Sequence, residues 1–264
     1  MNLSGRTVLL TGATGGIGHA IARAAAAGGA KLLLTGRRAE VLEPLATETG
    51  GRAIACDLAD RDAVDALLAD CGDSVDVLIA NAALPASGPL LGFSLEEIDR
   101  ALDVNLRAPI VLARALGANM ARRGNGHLVF ISSLSGKAAA PGTSIYSATK
   151  FGMRGFALGL REDFHGSGVG VSTVFPGFIS DAGMFADSGA ELPRFVGTKT
   201  ADDVAAAVLH AIEKNRSEVD VAPVPMRVAA SLAGLIPATS AAIQRRFGSA
   251  ELSASVAAGQ KDKR

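Results

Sequence analysis

Short runs of apolar residues alternate with longer segments of mixed polarity along most of this chain. Buried strands are predicted at residues 6–11, 30–35, 52–56, 75–80, 126–131, 170–175 and 218–221. Helices are predicted between several of them, at residues 19–27, 60–70 and 200–214. This alternation is typical of a parallel sheet whose strands are joined by right-handed helical crossovers. The pattern therefore predicts an α/β protein.

A glycine-rich segment follows the first predicted strand directly and leads into a helix. Thr11 and Gly12 are followed by Gly16 and Gly18, with the spacing T-G-x-x-x-G-x-G. Glycines at such a turn let backbone N–H groups approach a pyrophosphate, and the helix N-terminus favours its negative charge. The segment therefore predicts a dinucleotide site. The alternative is a tight turn that binds no ligand.

The end of the second predicted strand bears on which dinucleotide would bind. An NAD site places a carboxylate there for the ribose 2′-hydroxyl, whereas arginine suits a 2′-phosphate. Gly36 stands where the acid is expected, and Arg37 and Arg38 follow it. We therefore expect NADP(H) to be preferred over NAD(H). The alternative is a solvated, basic start of a helix, with Glu40 as ion partner.

Tyr146 is the only tyrosine of the chain, and Lys150 follows it four positions later. On a helix, two such side chains lie on one face. A fixed ammonium favours phenolate, so Lys150 should lower the pKa of Tyr146 from its ordinary value of about 10. Such a phenol can pass a proton to or from an alcohol or carbonyl oxygen. The spacing alone is weak evidence, because it also arises by chance.

Two further polar residues fall at informative positions. Ser133 follows the apolar strand Gly126–Ile131, and ligands of parallel sheets bind at the carboxyl ends of strands. Asn105 lies on an apolar helical stripe, where an amide is costly unless it is hydrogen-bonded. Pro109 has no N–H, so the Asn105 carbonyl would be free to hold a water. For Ser133 the alternative is a hydroxyl at a strand end that bonds its own backbone. For Asn105 it is a kinked helix in which the core amide is hydrogen-bonded.

Together these elements resemble the short-chain dehydrogenase/reductase family in its compact single-domain form. The resemblance extends over residues 3–222, with the motifs in the family's order and spacing. The matching residues are Thr11, Gly12, Gly16, Gly18, Asp57, Asn81, Ala82, Asn105, Ser133, Tyr146, Lys150, Pro176 and Gly177. The resemblance implies a doubly wound (Rossmann) parallel sheet of seven strands with helices on both faces. It also implies hydride transfer between a nicotinamide and a carbonyl or alcohol.

The resemblance assigns roles to individual residues as well. The catalytic set would be Asn105, Ser133, Tyr146 and Lys150, in which Ser133 holds the substrate oxygen and Asn105 anchors a relay water. The cofactor-binding set would be Gly12, Thr14, Gly15, Gly16, Ile17, Gly18, Arg37, Arg38, Asp57, Leu58, Asn81, Ala82, Ala83, Tyr146, Lys150, Pro176, Gly177, Ile179 and Ser180. The chain departs from the family pattern at Ala80, Ala83 and Asp181, and Ser180 would then supply an amide contact in place of a threonine.

Charge and cysteine usage limit the remaining possibilities. The chain has 26 lysines and arginines and 26 aspartates and glutamates, so nothing indicates a nucleic-acid partner. Its two cysteines, Cys56 and Cys71, suggest a reducing compartment, and we expect a cytoplasmic location without a signal peptide. The four histidines are scattered without metal-ligand spacing, so no metal is expected.

Residues 1–222 are expected to form the dinucleotide-binding and catalytic domain, and residues 223–264 a helical extension and tail of that domain. Segment 178–196 is predicted as a loop over an apolar pocket or, alternatively, as a loop anchored in the core. Its apolar side chains are Phe178, Met184, Phe185 and Phe195. Residues 249–264 are small and polar, and we expect them to fray.

Two features bear on partners. Segment 223–247 contains an apolar helix broken at Pro237, which should cover the substrate cleft or form a subunit interface. Membrane contact by this helix is possible but not favoured, since its apolar stretch is too short to span a bilayer. A face of small residues follows Tyr146 on its helix, at Ala148, Gly152, Gly155 and Gly159. Such a face suggests close packing against the sheet or a second subunit, and the family resemblance favours a homodimer or homotetramer.

The leading hypothesis is an NADPH-dependent enzyme that interconverts a carbonyl and a secondary alcohol on an apolar small molecule. A second hypothesis keeps the fold but runs as the NAD(P)-linked oxidation of a lipid-like or steroid-like alcohol. A third, of another class, is a cofactor-binding sensor without turnover. The presence of Asn105, Ser133, Tyr146 and Lys150 argues against the sensor, because a binding protein needs no proton relay.

Overall fold

The computed structural model describes residues 1–190, 192, 196–246 and 249–260, and the side chains of residues 243–246 and 249–252 are outside this description. Seven strands form one parallel sheet in the order β3-β2-β1-β4-β5-β6-β7. They are β1 (Thr7–Thr11), β2 (Lys31–Gly36), β3 (Arg52–Ala55), β4 (Val77–Ala80), β5 (Gly126–Ile131), β6 (Val169–Pro176) and β7 (Glu218–Val221). This confirms the predicted doubly wound fold.

The helices that connect and extend the sheet follow in chain order. They are α1 (Gly16–Ala27), α2 (Ala39–Thr49), α3 (Arg61–Cys71), α4 (Leu95–Leu102), α5 (Ala108–Arg123), α6 (Ser144–Asp163), α7 (Gly183–Ser188), α8 (Ala201–Lys214), α9 (Val224–Leu235), α10 (Pro237–Arg246) and α11 (Ser249–Gln260). Side-chain caps fix several starts: Asp60 accepts from two N–H groups of α3, and Thr200 forms a capping box with Asp203 on α8.

The sheet is covered on both faces by helices, and each face has its own apolar core. Alternate residues of β1 point to opposite sides, so Val8 and Leu10 pack with α1, α2 and α8, whereas Leu9 packs with α3, α5 and α6. Strands buried on both faces have to be apolar almost throughout, which is why they appear as continuous apolar runs in the sequence.

The strand order reverses beside β1, which pairs with β2 on one side and β4 on the other. The chain leaves these neighbouring strands for opposite faces of the sheet, and a crevice opens at their carboxyl ends. All predicted site segments that follow β1, β2, β3, β4 and β5 are therefore brought to one edge of the sheet.

The predicted strand bounds differ from the structure by at most two residues, but two other predictions were wrong. Segment 178–196 is not only a loop, because it contains the short helix α7. Segment 249–264 does not fray as a whole, because residues 249–260 form α11. That helix packs against α7, and Ala257 is buried there, so tertiary contact holds a segment whose composition is typical of a loose tail.

No helix among the described residues is long and apolar enough to cross a membrane. In the same part of the chain, no group of three or more histidine, cysteine, aspartate or glutamate side chains is arranged to bind a metal. Cys56 and Cys71 are both free and buried.

Candidate active site

The turn between β1 and α1 depends on glycine at specific positions. Gly12 has a positive φ of 66°, and a Cβ there would lie 2.6 Å from the Ala82 Cα. A Cβ on Gly18 would collide with the Gly12 carbonyl oxygen. Helix α1 begins at Gly16 with no side-chain cap and no acid in its first turn. Its first N–H groups are therefore available to an anion such as a pyrophosphate.

Asn81 braces this turn from the neighbouring strand. The backbone N–H groups of Asn81 and Ala82 both donate to the Thr11 hydroxyl, each at 3.1 Å. The Asn81 side-chain amide donates to the carbonyl oxygens of Thr11 and Gly12, also at 3.1 Å. These bonds hold the ends of β1 and β4 at a fixed separation. The departures from the family pattern at Ala80 and Ala83 leave this brace intact.

Two arginines and no acid line the cleft at the end of β2. A Cβ on Gly36 would lie 2.9 Å from the Thr14 Cγ2, so a carboxylate side chain at this position would displace Thr14. The Arg38 guanidinium donates to the Thr14 carbonyl oxygen at 2.8 Å. Arg37 and Arg38 are exposed and both line the cleft. The charge at this end of the cleft is therefore positive.

Asp57 lies after β3 with a partner that the sequence did not reveal. Burial alone would raise the pKa of Asp57, but the Ala59 N–H at 3.0 Å and the Arg100 guanidinium at 2.8 Å lower it overall. Leu58 beside it is buried. Arg100 comes from α4 and belongs to no motif, and it is a site residue because it lines the cleft and contacts Asp57.

A cleft and a cavity meet at the carboxyl edge of the sheet. The cleft, of about 490 Å3, runs along the glycine turn to Arg37, Arg38 and Asp57. The cavity, of about 710 Å3, contains Ser133, Tyr146 and Lys150. Five residues line both spaces: Ile17, Asn81, Ala83, Met184 and Gln260. A molecule lying in the cleft can therefore reach the cavity.

Tyr146 lies near the start of α6 and lines the cavity, hydrogen-bonded to Ser133. Burial raises the pKa of its phenol to about 12, and the bond with Ser133 offsets only part of that rise. The sequence-based expectation of a lowered pKa was therefore wrong for this arrangement. Loss of hydration of the phenolate is the dominant effect.

Lys150 lies one turn further along α6 and is only 3% exposed. Its ammonium donates to the Ile131 carbonyl oxygen at 2.9 Å and lies 5.5 Å from the centre of the Tyr146 ring. Burial lowers the pKa of Lys150 to about 8, so this group is still mostly charged at neutral pH. Ser132 fixes the helix here, because its hydroxyl donates to the Lys150 carbonyl oxygen at 3.1 Å.

Ser133 ends the strand segment in an extended conformation and caps the short turn Leu134–Gly136. Its hydroxyl oxygen accepts from the Ser135 N–H at 3.1 Å. It is therefore bonded to its own backbone, as the alternative to a catalytic role predicted, and also to Tyr146. Ser133 lines the cavity.

Asn105 lies outside both spaces, in a π-helical turn (Asp103–Arg107) between α4 and α5. It is 2% exposed, and its side chain bonds Leu84 in both directions, accepting from the N–H at 2.6 Å and donating to the carbonyl at 2.9 Å. The buried amide therefore has hydrogen-bond partners for both of its polar atoms. These bonds fix the position of the segment after β4.

Most of the other predicted residues line one of the two spaces. In the cleft are Gly12, Thr14, Gly15, Gly16, Ile17, Gly18, Arg37, Arg38, Asp57, Leu58, Asn81, Ala82 and Ala83. In the cavity are Pro176, Gly177 and Ile179. Ser180 lines neither space. Its hydroxyl is exposed and donates to the Lys199 carbonyl oxygen, and Asp181 beside it caps α8 through the Ala201 N–H at 2.9 Å.

Apolar side chains from late segments of the chain close the cavity. The rings of Phe178 and Phe185 pack with centres 4.9 Å apart, and Met184 lies between them in sequence. From α9, Met226, Ala229 and Ala230 line the cavity, as expected for a helix that covers the cleft. Phe195 lies outside the described residues. Gln260 of α11 was missed, because nothing in the local sequence marks it.

Comparisons with known proteins agree with this geometry. The family described as short chain dehydrogenase matches residues 6–193. Ketoacyl reductase HetN of Nostoc sp. is similar, with 38% identity over 83% of this chain and 79% of its own length. NADP-dependent 3-hydroxy acid dehydrogenase YdfG of Salmonella typhimurium is 36% identical over 65% of this chain and 72% of its own length. A solved short-chain dehydrogenase from Sphingobium yanoikuyae in complex with NADPH is 28% identical, with a TM-score of 0.78 over 89% of this chain and 93% of that chain.

Proposed function

This chain belongs to the short-chain dehydrogenase family of NAD(P)-binding oxidoreductases acting on CH–OH and C=O groups, and we propose that it reduces a carbonyl of an apolar small molecule with NADPH. The observation that carries the proposal is the meeting of Tyr146, Ser133 and Lys150 in an apolar cavity beside a cleft that is lined by the glycine turn. A bound nicotinamide would supply the hydride.

The proton transfer in this proposal rests on Tyr146. Its pKa of about 12 keeps the phenol protonated at neutral pH, so it is ready to donate to the oxygen of a carbonyl as that oxygen gains charge. Ser133, already bonded to Tyr146, holds the same oxygen. Lys150 stabilises the phenolate that remains and would hold the nicotinamide ribose.

Asn105 acts in this scheme as a positioning residue. Its side-chain amide is hydrogen-bonded to the Leu84 backbone, so only its backbone carbonyl oxygen could bind a water of a proton relay. Pro109, four residues on, has no N–H to donate to that carbonyl. The relay water of the family is therefore assigned to the carbonyl oxygen and not to the amide.

The residues of the cleft fit a dinucleotide, and we assign the 2′-phosphate to Arg37 and Arg38. Position 36 has no room for the acid of an NAD site beside Thr14. The solved short-chain dehydrogenase from Sphingobium yanoikuyae in complex with NADPH supports a cofactor that carries a 2′-phosphate. Replacing both arginines by serine should weaken NADPH binding about tenfold to hundredfold and leave NADH binding within about threefold. Arg23→Ser is the matched control, since Arg23 pairs with Glu48 outside the cleft. Equal losses for both cofactors would contradict the assignment.

The substrate is assigned to the apolar cavity. Its lining by Phe178, Phe185, Met226 and Ala229 fits a hydrocarbon chain or ring on either side of the carbonyl. The similar proteins named above act on a ketoacyl group and a 3-hydroxy acid by their names, so the carbonyl is expected to be a ketone. The test is oxidation of NADPH and NADH by the purified protein against a panel of ketones and aldehydes. Turnover with NADPH on apolar ketones supports the proposal, and nucleotide binding without turnover on any carbonyl favours the sensor hypothesis.

We propose a homodimer or homotetramer built on α6. Phe151 and Leu158 on this helix are 40% and 42% exposed, and a Cβ on Gly155 or Gly159 would meet nothing within 4 Å. A second subunit would cover this open face. Leu158→Glu should lower the mass in solution to that of one chain, measured by light scattering. Leu91→Glu, at an exposed residue elsewhere, should leave the mass unchanged. A monomeric wild type would contradict the proposal.

The domain division and the location belong to the same proposal. Residues 1–222 carry the nucleotide and catalytic groups, and residues 223–264 complete the cavity as part of the same domain. A cytoplasmic location suits two free, buried thiols. Cell fractionation tests it, and recovery outside the cytoplasmic fraction would contradict it.

A further inference from the structure

The helix α11 reaches the junction of cleft and cavity from the far end of the sequence. Ala257 and Gln260 are buried on one side of it. Gly259 lies against the backbone of Ser188, the last residue of α7, so closely that any side chain would collide with it. The two helices therefore pack backbone to backbone, and α11 holds α7 in place over the cleft.

The side-chain amide of Gln260 uses only one of its two polar atoms in a hydrogen bond within the described residues. It is 2% exposed, and its Nε2 donates to the Met184 carbonyl oxygen at 2.8 Å. Its Oε1 is buried and has no hydrogen-bond partner among the described residues. A buried acceptor without a donor is unfavourable and uncommon in folded proteins. This atom therefore indicates a ligand that supplies a donor.

The position of Gln260 restricts what that ligand can be. Gln260 is one of the five residues that line both spaces, together with Ile17 of the glycine turn and Met184 of α7. The adenine end of the cleft, at Arg37, Arg38 and Asp57, lies away from the cavity. A dinucleotide that spans the cleft and presents its reactive ring to Tyr146 has to pass this junction with its nicotinamide half. That half carries hydroxyl and amide donors.

We propose that Gln260 is a cofactor-contacting residue, whose Oε1 accepts a hydrogen bond from a hydroxyl or amide donor on the nicotinamide half of the bound dinucleotide. The Nε2 of the same side chain is hydrogen-bonded to Met184 of α7, so the Gln260 amide would connect α7 to the ligand. This inference rests on the proposed function, because it requires that the cleft binds a nicotinamide dinucleotide.

The test compares the dissociation constants of NADPH and of adenosine 2′,5′-bisphosphate, which lacks the nicotinamide half, by titration calorimetry. Gln260→Leu removes the acceptor and keeps the volume. We expect NADPH to bind about three- to tenfold more weakly and the bisphosphate to bind equally well. Ser255→Leu places the same side chain on the exposed side of α11 and should change neither constant. Thermal melting checks that both variants are folded.

Each result decides the matter. Unchanged NADPH binding in Gln260→Leu would overturn the inference while leaving the proposed function intact. Equal weakening of both ligands would also overturn it, because the effect would then act through the shape of the cleft. If the wild type binds the bisphosphate but gains nothing from the nicotinamide half, the inference fails as well. Wild type that binds neither ligand would refute the proposed function itself.

Discussion

The single tyrosine allows the central acid of this site to be titrated directly. The chain contains no tryptophan and only Tyr146 as tyrosine, so the near-ultraviolet absorbance of tyrosinate reports this residue alone. Burial raises its pKa to about 12, whereas a tyrosine in water has a pKa of about 10. The difference corresponds to about 3 kcal/mol against the phenolate in the folded protein.

The perturbation is a rapid jump from neutral pH to about pH 10.5, with absorbance recorded before the chain unfolds. A tyrosine with the ordinary pKa would be about three-quarters ionised at that pH, and one with a pKa of about 12 only about 3% ionised. We therefore expect almost no fast change of absorbance, followed by a slow rise as the chain unfolds and exposes the phenol.

Two controls make the measurement interpretable. The chain unfolded in guanidinium should ionise at once with the ordinary pKa, and Tyr146→Phe should give no signal. A fast change approaching the full amplitude at about pH 10, while circular dichroism still shows the folded protein, would refute the argument that loss of hydration dominates at Tyr146.

Three further predictions follow from groups around the site and in the core. Burial lowers the pKa of Lys150 to about 8, so kcat/KM for carbonyl reduction should fall about tenfold per pH unit above that value, and a flat profile to about pH 10 would contradict its role. Lys150→Arg should abolish the fall, since arginine keeps its charge. Burial lowers the pKa of His127 to about 3, so only the unfolded chain gains this proton below about pH 6.5, and urea-derived stability should fall by up to about 1.4 kcal/mol per pH unit as the pH drops. His127→Gln with an undiminished slope would disprove this. Gly12→Ala should lower the melting temperature more than Gly50→Ala, because both have positive φ but only Gly12 faces the Ala82 backbone, and equal losses would show that this contact is unimportant.

Much of the candidate site was predictable because its residues follow strands. The carboxyl ends of parallel strands meet at one edge, so the segments at Gly12, Gly36, Asp57, Asn81 and Ser133 had to converge once the strands were identified. Periodicity and apolar runs were sufficient for that identification, since strands buried on both faces admit few polar residues. The pKa values and hydrogen-bond partners of the site residues could not be predicted from these patterns.

The features of the site that the sequence did not predict depend on contacts between segments that are distant in the chain. The pKa of Tyr146 follows from how completely the cavity excludes water, which no local spacing encodes. Arg100 is recognisable only by its contact with Asp57. The residues of α11 show no clear apolar face, and the helix is stabilised by its packing against α7, so Gln260 could not be placed from sequence. Asn105 was correctly expected in an apolar setting, but its partner Leu84 comes from another loop.

The most direct test of the account is the effect of Tyr146→Phe on reduction of an apolar ketone by NADPH. The phenylalanine ring preserves the shape of the cavity and removes only the proton donor. We expect kcat to fall by about a hundredfold or more, with the dissociation constant for NADPH unchanged. A variant that retains most of its turnover would contradict the assignment of Tyr146 as the acid, and with it the proposed mechanism.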